Sequence, residues 1–278
     1  MAIRVVESKQ NARVKELRRA LAMPGRVESG RVGIEGLNLL EEAMRAGLRV
    51  KTIFVAQGAE RLLESLRVPP EIEVLQLSKT LLDSALATET PQPIASLVEP
   101  PDWTWAHLFG TQQGGGALII VMAGIQDPGN LGTILRSAEA FGATGVVSLP
   151  GTVCAWNQKA VRASAGSVFR VPMVAASVND CFVRLRENNI SVWATTSRAA
   201  RPADLTDFTR ATALVVGNEG NGIPKEIERR ADGTITIPCP GPVESLNAAV
   251  AASVLLYEAS RQRSVLSGGP SDHRGVRR

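Results

Sequence analysis

The second half of the chain places the strongest constraint on its fold. From residue 117 to about 260, short continuous apolar runs alternate with stretches of helical periodicity. ALIIVM (117–122), VVSL (146–149), ISVWATT (190–196), ALVVG (213–217) and TITIP (234–238) read as strands. Most are apolar on consecutive residues, the pattern of strands covered on both faces. FRVPMV (169–174) reads as a further strand, with Pro172 pointing to a sheet edge. Helices are predicted over 130–141, 157–165, 178–188, 225–230 and 246–260. In the first of these Leu131, Ile134, Leu135, Ala138 and Phe141 fall on one stripe. This alternation predicts an α/β domain with a mostly parallel sheet over residues 117–265. The last helix is apolar or small nearly all round, from Ala248 to Leu256, as in a helix buried on every side. A second copy of the chain is the economical cover, so a homodimer is expected.

Residues 1–99 read as a separate, smaller α/β domain. Helices are predicted at 11–22, 37–46, 60–66 and 79–86, and strands at 32–35, 52–55 and 73–77. Breakers at both ends (Pro100-Pro101 and Gly114 to Gly116) mark 100–116 as a linker. The Gly-, Ser- and Arg-rich end, 266–278, is expected to be disordered.

Charge and scarce residue types narrow the chemistry. Residues 1–31 carry eight Lys or Arg against three Glu, and over the whole chain 25 Arg stand against 6 Lys. SKQNARVKELRRAL (8–21) reads as a basic amphipathic helix. Its Lys9, Arg13, Lys15, Arg18 and Arg19 either track a nucleic-acid backbone or form a solvated face. With only two histidines, His107 in the linker and His273 in the tail, a Ser-His-Asp triad, an HExxH zinc site or a histidine general base is disfavoured. Cys154, Cys181 and Cys239 form no CxxC pair, so neither a disulfide framework nor a metal is expected. The longest apolar run, Ala117 to Ala123, is far below the roughly 20 residues of a membrane span. The opening MAIRVVESKQ lacks the apolar stretch of a signal peptide. A cytoplasmic protein with no membrane partner is expected.

Three loops of the second domain are rich in Gly, Pro, Asn and Ser and follow strands, where open α/β sheets bind ligands. In the first, GIQDPGNLGTILRSAEAFG (124–142), Asn130 is a candidate helix cap, and periodicity alone makes Arg136 a solvated residue. The second, VVGNEGNGIP (215–224), has Gly217, Gly220 and Gly222, which permit close backbone approach. No Lys-Ser or Lys-Thr follows, so it is not a P-loop. Glu219 among the glycines disfavours a pyrophosphate. The third, IPCPGPVESLNAAVAASVLLYE (237–258), is stiffened by three prolines. Ser245 is a natural cap for the last helix, and Asn247 sits in its first turn.

Together these segments resemble the three motifs of the SpoU (TrmH-like) RNA ribose 2′-O-methyltransferases of the SPOUT superfamily. DPGNLGTILR matches the first at Asn130 and Arg136, GNEGNGI the second, and ESLNAAVAASVLLYE the third, with Ala248 where many relatives have Val. SKQNARVKELR, GIEGLNLLEEAMRAG and ETPQPIASLVEP look like the substrate-binding domain of the rRNA-modifying branch, a ribosomal-protein-like α/β fold. The resemblance implies a deep trefoil knot, a homodimer and S-adenosylmethionine as methyl donor. It implies donor contacts from Gly217, Asn218, Glu219, Gly220, Ile237, Leu246 and Asn247. Asn130, Arg136, Glu219, Ser245 and Asn247 would serve catalysis. In the family the arginine matching Arg136 is proposed to deprotonate the ribose hydroxyl. An equally physical role is to clamp the target phosphate, since guanidinium stays protonated in proteins. The implied substrate is RNA, foremost large-subunit (23S) rRNA. A tRNA substrate, or an RNA-binding module that has lost catalysis, are the alternatives. A nicotinamide oxidoreductase is disfavoured, because no glycine fingerprint follows the strand at 117–122.

Overall fold

The computed structural model describes residues 3–86, 88–109, 116–197, 199, 201–218, 220–242 and 245–266. In chain order the elements are β1 (Ile3–Val6), α1 (Ala12–Ala22), β2 (Val32–Glu35), α2 (Leu37–Arg45), β3 (Arg49–Ala56), β4 (Glu73–Leu77), α3 (Lys79–Asp83) and β5 (Ile94–Glu99). They continue with α4 (Trp105–Phe109), β6 (Leu118–Ala123), α5 (Pro128–Ala140), β7 (Gly145–Ser148), α6 (Gln158–Ser164), β8 (Met173–Ala175) and α7 (Val178–Glu187). The last are β9 (Ser191–Thr195), β10 (Thr212–Gly217), α8 (Lys225–Arg230), β11 (Gly233–Ile235) and α9 (Ala248–Leu266). No helix among the described residues is long and apolar enough to cross a membrane.

The chain divides into two compact units. One comprises the chain up to Asp102 with Cys154–Arg170; the other comprises Trp103–Val153 and the chain from Val171 on. The first holds a mixed sheet in the order β1-β4-β3-β5-β2, with β1, β4 and β3 parallel and β5 antiparallel to both β3 and β2. Helix α1 lays Val14, Leu17 and Leu21 against Phe54, Leu75 and Leu97 of this sheet. The 3,4 spacing of those apolar residues is what makes the segment amphipathic. Asn11 starts the helix, accepting from the N–H of Arg13 at 2.9 Å.

The second unit holds a six-stranded sheet, parallel throughout, in the order β11-β9-β10-β6-β7-β8. Every residue of β6 is buried. Ile119, Val121 and Ala123 pack with Cys181, Phe182 and Leu185 of α7. Strand alternation turns Leu118, Ile120 and Met122 to the opposite face, the side on which α5 and α9 lie together. Those two helices run parallel, joined by Asn130–Asn247, Ser137–Ser253 and the edge-to-face pair Phe141–Tyr257. Burial of the Cys181 thiol pushes its pKa up to about 12, and Asp180 adds to the shift, so it behaves as an inert apolar group.

Several elements differ from the sequence reading. Residues 60–66 form a 3-10 helix ending at Arg67 in the left-handed region (φ 44°). The stretch 169–174 is not one strand: a 3-10 turn at Ser167–Phe169 precedes the short edge strand β8. Pro172 cannot donate to a ladder, and only its carbonyl is used, by the N–H of Val146 at 2.8 Å. Strands β1 and β5 were not predicted. The stretch 100–116 carries α4, whose Leu108 is fully buried. Of the expected disordered tail, 267–278 lies outside the described residues.

Candidate active site

A parallel sheet collects its carboxyl ends along one edge, and there the loops after β9, β10 and β11 enclose a cavity of about 840 Å³. That is within the roughly 300–1,000 Å³ of small-molecule sites. Of the residues singled out by sequence, Gly217, Asn218, Gly220, Ser245, Ile237 and Leu246 line it. Glu219 lies outside the described residues.

The loop after β10 is held by its own backbone and by one side chain. Asn218 and Gly222 exchange both backbone hydrogen bonds, at 3.1 and 2.9 Å. Asn218 Oδ1 accepts from the N–H groups of Gly220 and Asn221, and its Nδ2 donates to the carbonyl of Gly124 at the end of β6. Gly222 takes the positive φ (65°) that the turn requires. The need for glycine at 217 has a different source from the one expected. A Cβ there would lie about 2.5 Å from the nitrogen of Ile223 and 2.6 Å from the oxygen of Gly222. The close approach at Gly217 is therefore by the loop's own backbone.

Capping also differs from expectation and has consequences for the site. Asp127, not Asn130, caps α5, accepting from the N–H of Gly129 at 3.1 Å with Pro128 in the first turn. Asn247, not Ser245, caps α9: its Oδ1 accepts from Ala249 at 2.9 Å and Val250 at 3.3 Å. With its oxygen so fixed, the Asn247 amide must aim Nδ2 outward, where it donates to Asn130 Oδ1 at 3.1 Å. Two motifs more than a hundred residues apart are thus joined. Arg136 is exposed, six residues beyond Asn130 on α5, or about 9 Å along the axis. It does not line the cavity.

The sequence reading missed the loop after β9. Thr195, Thr196 and Ser197 line the cavity, and Thr195 Oγ1 is buried with no partner among the described residues. Cys239 and Glu228 also line it. Nothing in the sequence marks ATTS; only the position of β9 between β11 and β10 brings it to the site. On the other unit, Lys9, Lys15 and Arg19 are exposed. Arg13 is bound to Glu16 and Glu73 at 3.0 Å each, and Arg18 lies 3.4 Å from the carbonyl of Ser84. Among the described residues no cluster of three or more His, Cys, Asp or Glu could hold a metal ion.

Residues 117–257 match the SpoU rRNA Methylase family, and residues 11–96 match the MRM3-like substrate binding domain. The chain belongs to the SpoU rRNA methylase family. Among its relatives is the 23S rRNA (guanosine(2553)-2′-O)-methyltransferase RlmP of Bacillus subtilis. It is 32% identical over 256 residues, covering 91% of this chain and 97% of that one. The AdoMet complex of the SpoU methyltransferase AviRb from Streptomyces viridochromogenes superposes with a TM-score of 0.78 at 29% identity, covering 94% and 100% of the two chains. An AdoMet-bound rRNA methyltransferase from Sinorhizobium meliloti gives 0.77 at 29% identity, covering 93% and 98%. The cavity suits such a donor: apolar Ile223, Ile237 and Leu246 offer walls for a flat base, and Thr195 has an unsatisfied buried hydroxyl.

Proposed function

We propose that this protein transfers a methyl group from S-adenosylmethionine to a ribose 2′-hydroxyl of RNA, with large-subunit (23S) rRNA as substrate. The observation that carries the reading is a single cavity lined by the second and third motif loops, with Asn247 tying the third to Asn130 of the first. Gly217, Asn218, Glu219, Gly220, Ile237, Leu246 and Asn247 would hold the donor, whose sulfonium supplies an activated methyl group. Thr195 joins them through its buried hydroxyl. No metal is required by this chemistry.

A ribose hydroxyl is a weak nucleophile, so its placement and deprotonation set the rate. Arg136 is exposed and carries a fork suited to a phosphate. It clamps the phosphate beside the target ribose and orients the hydroxyl, while Asn130, Glu219, Ser245 and Asn247 position ribose and donor. Lys9, Arg13, Lys15, Arg18 and Arg19 lie on or beside α1 and contact the RNA backbone, Arg13 with its charge already shared by two glutamates.

Val250, Val254 and Tyr257 leave an apolar stripe exposed along α9, at 48%, 40% and 56%. This stripe, beside α5, forms the interface of a homodimer, which brings Arg136 to the subunit boundary. The C-terminal chain threads as the trefoil knot of the superfamily, and the protein works in the cytoplasm. The test is transfer of labelled methyl from S-adenosylmethionine to unmodified large-subunit rRNA, small-subunit rRNA and tRNA. Label is expected in large-subunit rRNA and lost in Arg136→Ala, with donor binding retained. Loss of donor binding in Arg136→Ala would refute its substrate-side role.

A further inference from the structure

The unit that carries the basic helix holds a second, smaller cavity of about 120 Å³. Ala22 and Pro24 line it at the end of α1, Glu35 at the end of β2, Thr88 beside it, and Gln158 and Arg162 from α6. Glu35 is 5% exposed. Its Oε1 accepts from Thr88 Oγ1 at 2.7 Å and from the N–H of Gln92 at 2.9 Å. Among the described residues Oε2 accepts nothing and no cation pairs with the carboxylate. Gln158 donates its Nε2 to the carbonyl of Gly33 at 2.9 Å, which leaves its Oε1 buried with no partner among the described residues. A carboxylate on a buried residue with one oxygen lacking a donor, beside a buried amide oxygen without a partner among the described residues, is costly unless a donor arrives.

We propose that this cavity takes one unpaired guanine base of the RNA, a proposal that rests on the RNA-modifying reading above. The space is far below the roughly 300 Å³ at which drug-sized sites begin, and it fits a single ring system. Glu35 and Gln158 line it, while Arg162, the cation among its described lining residues, is exposed. Guanine alone among the four bases carries N–H donors on two adjacent atoms of its Watson–Crick edge, N1 and N2. Adenine and cytosine offer one amino group, and uracil one imide. Ala22 and Pro24 supply an apolar wall for the ring. Arg162 is placed to stack on the base or hold its phosphate, as in other single-stranded RNA sites. The position at the end of α1 is continuous with the exposed Lys15 and Arg19.

The experiment is fluorescence anisotropy of the full chain with an unstructured octamer of uridines. The octamer carries one central guanosine, inosine or adenosine, inosine lacking only the N2 amino group. Guanosine is expected to bind about tenfold tighter than inosine, the size of one charge-assisted hydrogen bond. Glu35→Gln keeps an oxygen for Thr88 and Gln92 but turns an amide N–H₂ toward the base, so the preference should vanish. Arg162→Ala changes an exposed residue and should weaken all three RNAs alike. Equal binding of guanosine and inosine by the unmodified protein would overturn the proposal, and so would a preference that survives Glu35→Gln. Glu35-dependent binding of an arginine-rich peptide without any base preference would overturn it in favour of a protein partner. Methyl transfer to rRNA, measured on the same preparations, separates the two readings. Transfer without base preference removes only the guanine site. Base preference without transfer upholds the guanine site and removes the methyltransferase.

Discussion

Replacing Gly217 by alanine adds one methyl group, and the structure gives that methyl no room. Its contacts at about 2.5 and 2.6 Å are with backbone atoms of Ile223 and Gly222, whereas ordinary contacts begin near 3.4 Å. The strand end is fixed by pairing of Gly217 with Ala123 in β6, so the loop must retreat by nearly 1 Å. That movement strains the paired bonds between Asn218 and Gly222 and the three bonds of the Asn218 side chain. At about 1 kcal/mol net for each bond, loss of two to four of them costs about 2–4 kcal/mol. If the cost falls on the cavity, affinity for S-adenosylmethionine drops about 30- to 700-fold. Calorimetric titration of the donor is the assay, with circular dichroism to confirm that the sheet persists. Near-normal affinity in a folded Gly217→Ala protein would refute the claim that this closed loop shapes the donor site.

Two further outcomes follow from other parts of the molecule. If the proposed homodimer forms through α9, Val254→Arg should shift it toward monomer by light scattering. Removing two symmetry-related valines from an interface costs about 3 kcal/mol, or roughly 100-fold in dissociation constant; an unchanged dimer would clear α9 of the interface. Hydrogen bonds from Arg261, aided by Gln262 against the cost of burial, hold the Glu258 carboxyl below its ordinary value of 4.5. A lowered folded pKa stabilises fully above the unfolded value and loses that contribution as pH falls through the folded one. Glu258→Gln should therefore be less stable than the parent at pH 7 in denaturant titrations, and the gap should close below about pH 4.5. A gap independent of pH would show that the charge of Glu258 contributes nothing.

The parallel sheet was legible because its strands are buried on both faces and so read as unbroken apolar runs. The run Leu118–Ala123 is fully buried, and burial was the signal. Strand β1 escaped notice because only Val6 is buried while Ile3 and Val5 face solvent; edge pairing leaves little pattern in four residues. Strand β5 is apolar and buried, but it sits between PQP and EPP, and those breakers masked it. In the site, glycine and proline marked two loops; Arg136, which periodicity assigned to solvent, is exposed and does not line the cavity. Thr195 could not be found that way. Its place in the cavity depends on β9 standing beside β10, a long-range pairing with no local sequence mark. The same holds for the Asn130–Asn247 contact, which exists only because α5 and α9 lie side by side, and for Glu35, whose cavity needs α6.

The central claim is that the methyl group goes to a ribose oxygen. The most direct measurement is mass spectrometry of nucleosides from large-subunit rRNA treated with the protein and isotopically labelled S-adenosylmethionine. The account predicts label in a single 2′-O-methylated nucleoside, at one position, and none with Arg136→Ala. Label on a base, or label on ribose that persists in Arg136→Ala, would contradict it.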